Sequence, residues 1–294
     1  MIPETINTIV IYNLASYVVG ELTEVLYAIL KEQTSYQIEV GVQVQGDQPQ
    51  WELNSTNILY LVVCPSGLNL EIPLKYPKYY IPYQLEPPYK FKKYPLYYQI
   101  IKNGLQVWDF STKNCSSEWY HNLNVKYVPI GYHPSISASD MLYSDNYKDI
   151  DVLFLGTYSI PRRMEIKTQL LKRGLSVQFI FGLNLIGMRS LIRRSKICID
   201  IKHSELVQNL PTIRLNILLS NQACIVAEKV SDIEGMDEYS KCEVDFVEHS
   251  QITERCCQLL TNFELRKNKA LNGYHHYKTN YLWSKIVDFK KLLE

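Results

Sequence analysis

The chain has 294 residues, 46% of them hydrophobic and 21% charged, with 31 basic against 30 acidic side chains and a net charge of +1. These proportions fit one large or two ordinary globular domains and exclude a disordered or fibrous chain. Near-neutrality leaves no global basic field, so no nucleic-acid partner is expected.

The N-terminus, MIPETINTIVIYNLASYVVG, has no basic region and carries Glu4, so TINTIVIYNL reads as a first strand and not as a signal peptide. SYVVGELTEVLYAILKEQ sets Leu22, Val25, Leu26, Ile29 and Leu30 at helical spacing. IEVGVQV and NILYLVVCPSG read as strands, and KYYIPYQLEPPY as a strand that stops at Pro87-Pro88. YPLYYQIIKNG reads as a helix with Gly104 as its C-cap. LQVWDFSTKNC is a short strand with Ser111 placed to cap the next helix, and VKYVPIGYHPS is one more strand running into a loop. SISASDMLYSDNYKDI is polar and poor in long aliphatics, as a linker would be.

The alternation then restarts. DVLFLG, LSVQFIFG, KICIDIKHS, ACIVAEKVSD and CEVDFVEHS read as strands. Between them lie helical patterns in PRRMEIKTQLLKRG (Met164, Ile166, Leu170 and Leu171 inward), LIGMRSLIRRS and LPTIRLNILLSNQ; a long one runs from ITERCCQLL to KTNY. The last residues suggest an amphipathic helix through Trp283, Ile286, Phe289 and Leu293. Strands and helices alternating in this way imply parallel βαβ units. The expected domains are 1–135, a linker 136–150, 151–275, and a terminal helix 276–294 returning to the first domain. No apolar run nears the roughly 20 residues of a membrane helix. Seven cysteines, an odd number with no CxxC, point to reduced thiols in a cytoplasm-like compartment.

In an open parallel sheet, ligands sit beyond the carboxyl ends of the strands, where helix N-termini offer free N–H groups. Gly156 and Thr157 end a strand there, and Arg162 and Arg163 open the next helix; a guanidinium fork suits a diphosphate. Solvated arginines at a helix start are the plain alternative. Phe181 and Gly182 repeat the geometry, with a tight turn as the alternative. ELVQNLPTIRLN offers Glu205, Thr212, Arg214 and Asn216; the last two are polar in an apolar segment, which a buried salt bridge would also explain. Glu228 at a strand end could accept ribose hydroxyls or cap a helix. GxGxxG, GxxxxGK[ST], HExxH and GxSxG are all absent, and the Asp149-Ile150-Asp151 triplet precedes its strand, a poor position for a metal–diphosphate.

DVLFLGTYSIPRRMEIKTQLLKRGLSVQFIFG, LIRRSKICIDI and TIRLNILLSNQACIVAE, together with IPYQLE, VWDFS and VPIGYHPS, resemble GT-B glycosyltransferases, in particular small ones of large DNA viruses of the chlorella-virus type and of bacteria. The resemblance implies an α/β fold of two Rossmann-like domains facing a cleft, a nucleoside-diphosphate-sugar donor (UDP-linked), no metal requirement, and an oligosaccharide or glycoprotein acceptor. Within the chlorella-virus-like group it points to xylose from UDP-xylose. Carried over, Gly156, Thr157 and Arg163 would face the diphosphate, Phe181 and Gly182 the base, Arg214 a phosphate or ribose, and Glu228 the ribose. No EX7E pair is present, since Ile213 stands where the second glutamate would follow Glu205, which favours inversion. An inverting transfer needs a base on the acceptor side; Glu86 and Asp109 follow strands there, ahead of Glu21 and His133. A catalytically silent GT-B-like binding or scaffold protein is the alternative.

Overall fold

A computed structural model describes residues 2–41, 50–67, 75–87, 90–137 and 145–293. It divides into two compact units, Met1–Ile130 with Trp283–Glu294, and Gly131–Leu282. Within the expected linker, residues 138–144 lie outside the described residues, as do Pro88 and the end of the IEVGVQV stretch.

In the first unit β1 (Thr8–Asn13), β2 (Gln37–Val40), β3 (Ile58–Val63), β4 (Tyr80–Gln84), β5 (Val107–Asp109) and β6 (Val125–Tyr127) form a parallel sheet in the order β2-β1-β3-β4-β5-β6. Strands β1, β3 and β4 are almost wholly buried, as expected of parallel strands covered on both faces. Helix α1 (Ser16–Gln33) packs on β1 and β2, with Leu22, Val25, Leu26 and Ile29 fully buried on its inward face. Helices α2 (Lys90–Lys93) and α3 (Pro95–Asn103) follow β4, and α4 (Thr112–Cys115) follows β5 with Ser111 as its cap.

The expected terminal helix is instead two short ones, Trp283–Ile286 and Phe289–Leu293. Val287 and Asp288 part them, and Gln33 Oε1 accepts from the Phe289 N–H (2.9 Å) at the restart. Phe289 packs edge-on against Trp283 and tilted against Trp108, with centroids 5.3 and 5.5 Å away, and Gln106 donates to the Leu292 carbonyl.

The second unit runs β7 (Ile150–Leu155), α5 (Pro161–Lys172), β8 (Val177–Ile180), α6 (Leu185–Arg194), β9 (Ser195–Asp200), α7 (Thr212–Ser220), β10 (Ile225–Glu228), α8 (Ile233–Ser240), β11 (Asp245–Val247), α9 (Ile252–Leu260) and α10 (Phe263–Asn280). Its parallel sheet has the order β11-β10-β9-β7-β8. The chain starts at β7 and winds first to one side and then to the other, so the order reverses between β7 and β9. Phe154, Phe179, Ile199, Ile166, Leu170 and Ile252 are among the core residues that join the sheet to α5 and α9. Each such side chain contributes about 1.5–3 kcal/mol by leaving water.

Two expectations change here. Met164 and Leu171 of α5 are 38% and 50% exposed, and its buried face is Arg163, Ile166 and Leu170. The stripe is rotated by one residue because a hydrogen-bonded guanidinium takes an inward position. The long C-terminal pattern is broken at Thr261-Asn262, where Asn262 caps α10 by accepting from the Leu265 N–H. Among the described residues no helix is long and apolar enough to cross a membrane.

Candidate functional site

The carboxyl ends of β7 and β9 meet where the strand order reverses, the position at which doubly wound sheets bind ligands. Gly156 closes β7 with φ +150°; a Cβ there would meet Arg214 Nη2 and Phe154 Cζ, each at 3.1 Å. Glycine is required both for the backbone and for the close approach of the guanidinium. Phe154 is in contact with two cations, with the Arg163 guanidinium carbon 4.8 Å and that of Arg214 5.2 Å from its ring centroid.

The two arginines differ in burial and in partners. Arg163 is 5% exposed. Its Nε and Nη2 donate to the Ile201 carbonyl (3.0 and 2.7 Å) and its Nη1 to the Thr157 carbonyl (2.5 Å), so it ties the end of β9 to the turn after β7. Burial pushes its pKa down to about 10. The expectation that Arg163 lies open to a diphosphate is therefore corrected: its donors are used on backbone carbonyls. Arg214, in the first turn of α7, is half-buried and donates to Asp200 at the end of β9. The salt-bridge reading of Arg214 thus holds for this structure, although the group remains on the site's surface.

Arg162 donates to Glu228 at the end of β10 and pairs with Glu205. Glu228 is 2% exposed and also accepts from the Lys202 N–H (3.0 Å), while Lys202 Nζ lies 3.2 Å from Glu205. Glu205 itself is mostly exposed, and Lys202, then Arg162, hold its carboxyl below the usual range. The cluster sets Arg162, Arg163, Lys202 and Arg214 against Asp200, Glu205 and Glu228, one positive charge in excess. Both α5 and α7 begin without a side-chain cap and without an acidic residue in the first turn, so their N–H groups are disposed towards an anion. Thr212 Oγ1, at the first position of α7, is buried with no hydrogen-bond partner among the described residues.

Phe181 and Gly182 follow β8; Phe181 is 43% exposed and Gly182 has φ +77° with open space around it. Asn216 does not join the cluster. It is fully buried and its Oδ1 accepts from Tyr277 of α10 (3.1 Å) and from Ser220. Its oxygen is explained by helix packing, while its amide nitrogen is buried with no hydrogen-bond partner among the described residues; nothing ties it to the cation cluster, which corrects its placement there. Sequence reasoning missed Asp200, Lys202 and the Phe154 platform; the strand-end carboxylate in KICIDI was the available signal.

In the first unit, Asp109 ends β5 fully buried and accepts from Tyr120 (2.6 Å), the Ser111 N–H (2.9 Å) and Asn114 (3.0 Å). Burial raises its pKa to about 7 against those hydrogen bonds. A carboxyl so enclosed cannot touch an acceptor, so the expectation of Asp109 as base is corrected to that of a group organising α4. Glu86 lies two residues beyond β4, half-buried, with Lys90 at 2.8 Å; the Asn114 amide reaches its carbonyl at 3.5 Å. Glu21 is buried in α1. His133 falls in the second unit, where its Nδ1 accepts from the Ser135 N–H. Asp149 and Asp151 pair with Arg194 and Lys196. Among the described residues no group of three or more His, Cys, Asp or Glu could hold a metal ion.

No family model matches the sequence, and no curated protein matches it. Solved structures do. An alpha-glucosyltransferase in complex with UDP-glucose and DNA containing an abasic site is 10% identical over 97% of this chain and 98% of that one, with a TM-score of 0.62. The T4 phage BGT in complex with UDP and Mn2+ is 12% identical over 98% and 99%, with a TM-score of 0.57. S. aureus TarM, in complex with UDP, is 11% identical over 80% of this chain and 55% of that one, with a TM-score of 0.51. At these identities the likeness is one of fold, and the fold is GT-B: two Rossmann-like parallel α/β units in one chain.

Proposed function

We propose that this protein is a glycosyltransferase that moves a sugar from a uridine-diphosphate donor to an acceptor hydroxyl with inversion, without a metal ion. The observation that carries the reading is the gathering of Arg162, Arg214, Lys202 and two uncapped helix starts at the strand-order reversal of the second unit. That is where a diphosphate would find cations and free N–H groups together. The choice of UDP rests on the neighbours of the same fold, which hold UDP or UDP-glucose.

In this mechanism the donor's diphosphate lies over the starts of α5 and α7, met by Arg214 and Arg162. Phe181 and Gly182 border the base; Glu228, expected at the ribose, is buried with its two oxygens taken by Arg162 and the Lys202 N–H, and it positions Arg162 instead. Glu86 takes the proton of the acceptor hydroxyl as its oxygen attacks the anomeric carbon. The bond from that carbon to the diphosphate oxygen breaks, and the leaving group departs with its charge held by the guanidinium groups. Asp200 and Glu228 are each matched by an arginine, a donor set built for cations of the protein rather than for a divalent ion. A reducing, cytoplasm-like compartment is part of this reading, one in which the seven cysteines would stay thiols.

A thermal-shift panel of UDP, UDP-glucose, UDP-xylose, GDP and ADP tests the reading. UDP ligands should stabilise by about 3 kcal/mol at a hundredfold excess over Kd. A melting curve unmoved by every nucleotide would replace the enzyme with the scaffold reading.

A further inference from the structure

The near-zero net charge hides a segregation within the first unit. Residues 1–71 hold eight carboxylates and a single basic side chain, Lys31. Residues 75–130 reverse the balance: Lys75, Lys78, Lys90, Lys92, Lys93, Lys102, Lys113 and Lys126 stand against Glu86, Asp109 and Glu118. Asp109 is fully buried, which leaves two carboxylates on that surface. Among the described residues the two groups lie on opposite sides of the sheet, because β1, β2 and β3 form one side and β4, β5 and β6 the other; on the acidic side Glu21 is buried.

The basic half follows the sheet's architecture. Lys75 and Lys78 precede β4 and Lys102 ends α3, at the amino edge of the strands. Lys90 to Lys93 form α2 and Lys113 lies in α4, at the carboxyl edge that also holds Glu86. Lys75, Lys78, Lys102 and Lys113 are exposed. The same half also exposes large apolar groups: Tyr94 is 39%, Leu96 42% and Tyr127 49% exposed. Among the described residues this half carries no arginine; all nine arginines lie from Arg162 onward. Lysines are point charges on flexible stems, suited to a run of phosphates and not to bidentate reading of one group. Exposed tyrosines of the same half offer faces on which bases stack.

We propose that the β4–β6 side of the first unit is a nucleic-acid-binding surface and that the acceptor hydroxyl belongs to a nucleic acid, with its phosphates on the lysines and its reacting residue at Glu86. This rests on the glycosyltransferase reading for the transfer step, but not for the binding surface. The acidic half beside it would repel the same polyanion and so fix the side on which it lies. Net charge alone is no argument against a nucleic-acid partner here, because the sum cancels across the two halves.

The test is fluorescence anisotropy of the full chain with a labelled DNA of about twenty nucleotides, single-stranded and duplex, across a salt series, beside a UDP titration. Binding should weaken with salt, with a log–log slope of about −0.7 (single strand) or −0.9 (duplex) per phosphate engaged, and the joint Lys78→Gln, Lys113→Gln variant should reduce that slope by about one to two. Lys31→Gln, in the acidic half, should leave it unchanged. Failure of both DNA forms to bind at low salt, a flat salt dependence, or equal effects of the two variants would overturn the proposal. UDP binding without DNA binding would sink this inference alone; DNA binding without UDP binding would sink the donor reading alone. Transfer of label from UDP-glucose to a neutral oligosaccharide, with none to DNA, would also overturn it.

Discussion

Arg163→Ala separates a residue that holds the site from one that contacts the ligand. Arg163 makes three hydrogen bonds to two carbonyls, and Ile201, which supplies one of them, has no exposed surface. Hydrogen bonds from a charged donor contribute about 1.5–3 kcal/mol, and an unsatisfied buried carbonyl costs about 1–3 kcal/mol. Against this, the variant no longer buries a guanidinium, the burial that pushes the Arg163 pKa down to about 10. The net loss should be about 2–4 kcal/mol, a fall in Tm of about 5–12 °C for a unit of this size. A lysine at this position would reach one carbonyl instead of two, so Arg163→Lys should lie between. Calorimetry followed by UDP titration well below the new Tm is the assay. If Arg163→Ala melts within about 1 °C of the parent yet loses UDP affinity, the guanidinium faces the ligand and the clamp argument is wrong.

Glu205 is the exposed partner of Arg162, so Glu205→Gln should free that cation and tighten UDP binding about two- to fivefold at low salt, with the gain screened away at high salt; weaker binding would mean that Glu205 contacts the donor. Asp109 has a folded-state pKa raised to about 7, chiefly by burial. Its contribution is present below the unfolded carboxyl value near 4 and lost as pH rises towards 7, so Asp109→Asn should flatten the fall in stability over that window; an unchanged slope in denaturant titrations would count against the assignment. Glu86→Gln should lower turnover about a hundredfold while leaving UDP affinity alone, and normal turnover would move the base elsewhere. Transfer activity should survive EDTA, and a loss that manganese restores would refute the metal-free reading.

What was legible in the sequence followed period and punctuation. The strands β1, β3, β7 and β9 are apolar runs closed by turn residues, and α1 is a regular stripe, so both units could be read from local pattern. Strand order is not a local property. That β9 lies beside β7 brings Phe154 and Gly156 against Arg214, and nothing near Gly156 in the sequence says so. The inward turn of Arg163 was unreadable for a related reason: its acceptors, Thr157 and Ile201, come from two loops that meet only in the folded sheet. Asn216 misled because a polar residue in an apolar helix signals a partner without saying which; here the partner is Tyr277, far along the chain.

The site's own side chains are close to electrical balance, and that balance orders its cations by what they can do. A diphosphate brings at least two negative charges, so it must take cations from carboxylates already present. Arg163 has no such freedom, being buried on carbonyls. Arg214 has a nearly buried carboxylate beside it, and moving the guanidinium away would leave Asp200 uncompensated in a low-dielectric place. It can only share itself between Asp200 and a ligand. Arg162 is different: one of its two partners, Glu205, is exposed and can return to water at little cost. Arg162 is thus the cation that can exchange one partner, Glu205, for a ligand, while Arg163 keeps the glycine turn in place to receive the anion.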